Sequence, residues 1–295
     1  PRCGCTVILA GAAPPTMARA CDMQILISNG TITKATATSN GGCVFMSSSV
    51  QTRAHVEMPT FLPFCGRLAS ADVHSTGIST CNAGEAGGVV FLTQSSLSIT
   101  ESLLSRGTAL VGGGVVSESS VFQGSSTTIS SHAAAHHGGG MVLVRSSAVL
   151  EDVAISDSTA GAADGGGVYM TLSTLDMVSG RVSRNSANGP GGGIFASDST
   201  VTMNKLFIEN NIASQGGGVA ALRSDCATDE CWFIQNVCVL HVCCSVRLLW
   251  TEHVSECLRN CMCVCVLTLQ QRSIGLWWGN GRCRRKNCSC GKLHF

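Results

Sequence analysis

The sequence predicts an all-β chain wound as a parallel β-helix solenoid of about seven rungs, each of about 26 residues, followed by an irregular cysteine-rich tail. Three observations predict it. Glycine clusters recur with their last glycines at Gly42, Gly88, Gly114, Gly140, Gly167, Gly193 and Gly218, so the steps between them are 46, 26, 26, 27, 26 and 25 residues. Apolar residues keep phase with those glycines, as a stack requires when each rung presents the same face to the next. Serine, threonine, glycine and β-branched residues dominate the intervals, and few windows repeat apolar residues at the helical period of 3.6, which removes a helical repeat.

The phase assigns three strand-like stretches to each rung. The first follows the glycine, where Cys43, Val89, Val115, Met141, Val168, Ile194 and Val219 are all apolar. The second carries Phe122, Ala148, Leu175 and Val201 eight residues after the glycine, with Ser96 the exception, and Leu150, Met177 and Met203 ten residues after it. Apolar positions two apart are the alternation of a half-buried strand. The third holds Leu103, Ile129, Ile155, Val182 and Ile208, fifteen residues after the glycine, a file of large apolar side chains expected in the interior. Twenty residues after the glycine come Thr108, Ala134, Ala160, Ala187 and Ala213, read as a small-residue corner. In one rung the three stretches are 167–170, 175–178 and 181–185. Corners fall to glycine, which reaches positive φ without a Cβ clash.

The chain divides accordingly into an N-terminal segment at 1–23, read as truncated because it begins at Pro1, repeats at 24–225, and a tail at 226–295. The 46-residue step reads as one rung carrying a loop at 52–70, where Pro59 and Pro63 interrupt any strand ladder. Cysteine is absent from 82–225, whereas 226–290 holds twelve of the eighteen. Their spacing forms no repeated module and no pair of C-x2-C knuckles, so neither a zinc site nor a regular disulfide scaffold follows from it. The alternation Cys261-Met262-Cys263-Val264-Cys265 is what a translated TG dinucleotide repeat gives, and the stretch after Glu230 reads as low in order or as read-through of non-coding sequence. Residues 232–250 are apolar but interrupted by Gln235, Asn236, His241 and Arg247, which argues against a membrane anchor.

The segment Gly191-Gly192-Gly193-Ile194-Phe195 and the segment Phe207-Ile208-Glu209-Asn210 resemble the paired GGA[ILV] and FxxN signatures of the polymorphic outer membrane protein repeat. Val182-Ser183-Arg184-Asn185 resembles a copy with valine for phenylalanine, while 155–158 and 129–132 lack the asparagine. The resemblance covers residues 24–225. It implies a right-handed parallel β-helix of the pectin lyase-like class, displayed extracellularly or at a cell surface in an adhesion role, with an extracellular glycan or a host or cell-surface protein as partner. The same fold class contains polysaccharide lyases and hydrolases, so a degenerate carbohydrate-active enzyme is the alternative.

A net charge of +1 with 13% charged residues excludes nucleic acid as a general partner, because phosphate binding needs a concentrated basic face. Acidic residues do not recur at one phase on adjacent rungs, so neither a general acid/base pair nor a calcium cage assembles, and no catalytic residue or cofactor is assigned. Asp157 and Arg184 share a phase and are expected to form an exposed ion pair. The cluster His132, His136 and His137 reads as corner residues, with His136, His137 and Asp164 the candidate metal ligands. Tyr169 is the single tyrosine and no tryptophan precedes Trp232, so outward aromatic platforms are expected to be scarce.

Overall fold

The computed structural model describes residues 5–10, 23–47, 68–238 and 264–267, and among these the chain is a parallel β-solenoid with no helix. Four sheets run along the rod, one of nine strands and three of eight. We number the sheets I to IV in the order the chain visits them. A representative coil places Thr174–Val178 in sheet I, Arg181–Ser183 in sheet II, Ser186–Ala187 in sheet III and Ile194–Ser197 in sheet IV. Each strand pairs in parallel with its equivalents in the coils before and after.

Four strands per coil replace the three expected. The small-residue column is itself a strand: Ala109 pairs with Ala134 and Ala134 with Ala160 in sheet III, and Ala160, Ala187 and Ala213 form a buried cluster of their own. A two-residue strand is too short to show alternation, which is why the sequence reads there as a corner.

The interior file in sheet II runs Ile78, Leu104, Ile129, Ile155, Val182, Ile208 and Phe233 in unbroken register. Leu103, expected in this file, instead points outward at 45% exposure, and Leu104 takes its place with none. The cause is a slip of one residue at the second glycine cluster, where Val90 pairs with Val115, so Val89 rather than Gly88 stands level with Gly114. The slip also removes the other two exceptions, since Leu97 pairs with Phe122 in place of Ser96, and Ala109 joins the alanine column in place of Thr108. For the same reason Val182 and Phe207 are not equivalent. Phe207 pairs with Arg181, so the two segments matched to the FxxN signature stand one residue out of register.

The 46-residue step crosses a single level, because Thr31 pairs with Gly77 and Val44 with Val90. Most of the loop placed at 52–70 lies outside the described residues, and 68–70 open a strand of sheet I. At the other end the solenoid passes the boundary placed after residue 225. Asp225–Asp229, Trp232–Ile234 and Val237–Cys238 continue sheets I, II and III, and Val264–Leu267 pairs with Val219–Leu222 in sheet IV. The remaining residues of the tail, and the segments 1–4 and 11–22, lie outside the described residues. No helix among the described residues is long and apolar enough to cross a membrane.

One continuous core links the levels, with Ile129, Ile155, Val182 and Ile208 all at zero exposure. Burying a side chain of this size contributes roughly 1.5–3 kcal/mol. A disulfide between Cys43 and Cys81 ties the first glycine turn to the following level from inside. The register predicts opposite outcomes for two neighbouring leucines. Leu104→Ala should cost about 2–5 kcal/mol in urea unfolding, and Leu103→Ala should stay within about 0.5 kcal/mol of wild type. The reverse ranking would refute the slip.

Candidate functional site

Side chains reach the surface or the interior according to how the corners are turned. In the representative coil three corners use a non-glycine residue in the left-handed region, Ser179, Arg184 and Asp198, with φ of 54°, 53° and 50°. Only the fourth uses glycine, and there it is the first of the cluster, Gly191 at φ 74°, that bends the chain. The last glycine, Gly193, serves another purpose: a Cβ on it would stand 2.5 Å from the carbonyl oxygen of Gly218 in the next level. Gly114, Gly140, Gly167 and Gly218 share that column, whereas Gly88 stands level with Gly113.

After the left-handed residue at two of these corners, a short polar side chain turns inward and stacks. Ser95, Ser120, Ser146, Ser173, Ser199 and Ser224 form one ladder, in which each backbone N–H donates to the hydroxyl of the next level at 3.0–3.1 Å. Asn185, Asn211 and Asn236 form a second. The N–H of Asn185 donates to Asn211 Oδ1 at 2.9 Å, the N–H of Asn211 to Asn236 Oδ1 at 3.1 Å, and the Asn211 Nδ2 to the carbonyl of Val182 at 2.9 Å. Ser158 and His132 continue this column, which explains why 155–158 and 129–132 keep the fold without asparagine. His132 is therefore an interior residue at 1% exposure, not a corner residue. Buried backbone donors need partners, and these ladders supply them where the strands break.

The outer face of sheet IV corrects the expectation about aromatics. Phe45 pairs with Phe91 and Tyr169 with Phe195, all outward from the main core, with ring centroids 5.5 and 5.4 Å apart. The glycine turns fold over this column, and Phe91, Val116 and Val142 are buried beneath them in a second small core. Where that cover thins, His137 lies against Tyr169 at 4.4 Å between centroids, and its Nδ1 is 3.8 Å from Asp164 Oδ2. The backbone N–H of Asp164 also donates to His137 Nδ1, at 3.4 Å. Burial pushes the His137 imidazole below its ordinary range, opposed by the Asp164 charge and helped by His136. Burial raises the Asp164 carboxyl, opposed by His137, and burial with the Asp164 charge raises the Tyr169 phenol.

Of the candidate metal ligands the structure brings His137 and Asp164 together, while His136 is exposed beside them and acts on His137 only as a like charge. A zinc site takes three or four protein ligands. Among the described residues no group of three or more His, Cys, Asp or Glu side chains stands close enough to hold a metal. No second carboxylate acts on Asp164 either, since only burial and His137 move it.

A different cluster, unmarked by any motif, lies near Cys238. Phe207 and Trp232 point outward from adjacent strands of sheet II, with rings stacked at 4.7 Å. The Arg181 guanidinium covers the other side of Phe207 at 5.5 Å and pairs with Glu209. Around the corner in sheet III, Ile212 and Val237 occupy outward positions of the same two levels, at 45% and 49% exposure. The signal that could have located it is the register: once Ile208 and Phe233 are placed in the interior, their preceding neighbours must face outward.

Comparison with protein-family models, with curated proteins and with solved structures found no match for this chain.

Two variants separate the interior ladder from the surface pairs. Asn211→Ala leaves the Asn185 N–H and the Val182 carbonyl unpaired in the interior, and should cost about 1–3 kcal/mol for each, with faster hydrogen exchange at the Asn185 amide. Arg184 meets Asp157 through two bonds of 2.7 and 2.8 Å on the exposed corner, as the shared phase predicted. Arg184→Ala should nevertheless cost no more than about 1 kcal/mol, and added salt should shrink that difference.

Proposed function

We propose that the chain is a non-catalytic scaffold of the polymorphic outer membrane type, extracellular or held at a cell surface, which adheres to a surface protein through the patch near Cys238. The observation that carries this reading is the grouping of Phe207, Ile212, Trp232 and Val237 on two adjacent levels, all at 36–49% exposure. Elsewhere the rod presents mainly serine, threonine and paired charges. Clustered exposed apolar side chains mark interaction sites, and Trp and Arg are the residue types that most often anchor them. The branched aliphatic pair Ile212 and Val237 suits apolar protein side chains better than sugar hydroxyls, which favours a protein partner over a glycan.

The disulfide between Cys43 and Cys81 supports the extracellular placement, since such bonds form and persist chiefly in oxidising compartments. The carbohydrate-active alternative draws on the half-buried groove of His137, Asp164 and Tyr169. Glycoside cleavage by the usual route needs a second carboxylate across the bond, and Asp164 has none acting on it among the described residues.

Binding of the labelled full chain to a panel of intact cells, read by flow cytometry, tests the proposal. Trp232→Ala should weaken binding by roughly 30-fold, the loss expected on truncating an interface anchor. Prior protease treatment of the cells should abolish binding. Sensitivity to glycosidase alone would replace the protein partner with a glycan, and equal binding by wild type and Trp232→Ala would remove the patch as the adhesive face.

A further inference from the structure

The asparagine column admits one residue that titrates. We infer that His132 makes the solenoid acid-labile at its middle levels, because both ring nitrogens are already committed to backbone partners and neither can take a second proton without breaking a bond. The Gly107 N–H donates to His132 Nδ1 at 2.9 Å, so that nitrogen carries a lone pair and no hydrogen. The proton therefore sits on Nε2, which donates to the carbonyl of Leu104 at 3.1 Å. Protonating Nδ1 would set two N–H groups against each other inside the core and strand the Gly107 donor.

Comparison with the other levels shows what the histidine adds. Asn185 accepts the Ser158 N–H on Oδ1 and donates from Nδ2 to the carbonyl of Ile155, both at 3.0 Å. These are the same two bonds, made by a side chain that does not titrate. The imidazole reproduces the asparagine geometry and brings a proton equilibrium with it. It fits because glycine flanks it: a Cβ at Gly107 or Gly114 would come within 2.9 Å of the ring.

Nothing around the ring compensates a positive charge. The strand Leu103–Ser105 with Gly107, the turn at Gly113 and Gly114, and Ser158 of the following level pack against it, and none presents a titratable side chain to it. Arg106 and Asp157 neighbour these residues in sequence but are exposed corner residues, and Asp157 is held by Arg184. Cys81, level with Gly107, is closed in a disulfide. Burial accordingly lowers the His132 pKa from 6.5 to about 4, with the two backbone bonds opposing the shift.

The sign follows from linkage. Below pH 6.5 the unfolded chain binds a proton that the native ring refuses until about pH 4, so native stability is complete above that window and falls through it. The folded-to-unfolded ratio should drop by roughly tenfold per pH unit within it from this residue alone.

Urea midpoints of the full chain from pH 7.5 to 4.5 test the device, with His132→Asn and the exposed-residue control His136→Asn. His132→Asn should flatten the acid decline while His136→Asn follows wild type. Parallel decline in all three would overturn the inference. Should His132→Asn fail to fold, hydrogen-exchange protection in the wild-type chain gives a second reading. The Gly107 amide should lose protection on acidification well before the Asn185 amide, and simultaneous loss at both sites would equally refute the proposal.

Discussion

Vertical stacking is the constraint on which everything else in this protein depends. Every strand bonds to the level above and the level below, so each residue must stand over its equivalent, and a residue type that fails in one level strains its neighbours. Apolar positions meet the constraint easily, since Ile129, Ile155, Val182 and Ile208 bury their side chains against one another. Corners are harder. There the chain leaves the extended conformation, and backbone N–H groups that would otherwise pair in a sheet are buried without a strand partner. Serine and asparagine ladders answer that need, each side chain accepting from one level while donating to a carbonyl of its own or a preceding level. The interior is thus part apolar and part polar, and the polar part is confined to the edges between sheets.

The interior file was legible in the sequence because large β-branched side chains repeated at a fixed spacing of about 26 residues point to a stack and to little else. The glycine columns were legible as well, but their roles were not separable, since bending the chain and permitting close approach both select glycine. The slip at Gly88 was hidden for a related reason: glycine stands at 87 and 88 but valine at 89, so counting from the last glycine shifts that level by one. Ser96, Leu103 and Thr108 were the trace it left, three exceptions at the same level and displaced in the same direction. The non-glycine corners were the least legible. Ser179, Arg184 and Asp198 share no chemistry, and the left-handed backbone is held by the ladder residue that follows, not by the corner residue itself.

Aromatic residues show why outward and exposed are separate properties in this architecture. Phe91 points away from the main core yet is buried, because the glycine turns lie back over sheet IV. Phe207 and Trp232 point outward from sheet II, over which no such turn passes, and stay open. Composition alone cannot distinguish the two situations. The position of the long turn within the coil decides which aromatic column becomes a second core and which becomes a contact surface, and the adhesive reading rests on that asymmetry.

The same stacking rule bears on where the genuine repeat ends. Sequence unrelated to the fold would have no reason to keep phase with it. Yet Trp232, Phe233, Asn236 and Cys238 fall level with Phe207, Ile208, Asn211 and Ala213 respectively, and Asn236 accepts the Asn211 N–H while its Nδ2 donates to the Ile208 carbonyl. An interior aromatic, a ladder asparagine and a small inward residue at their proper spacings are three independent requirements, and one seven-residue stretch after Glu230 meets all three. Read-through of arbitrary sequence meets them only by coincidence, so the repeat extends to Cys238 and any break in reading frame must lie beyond it.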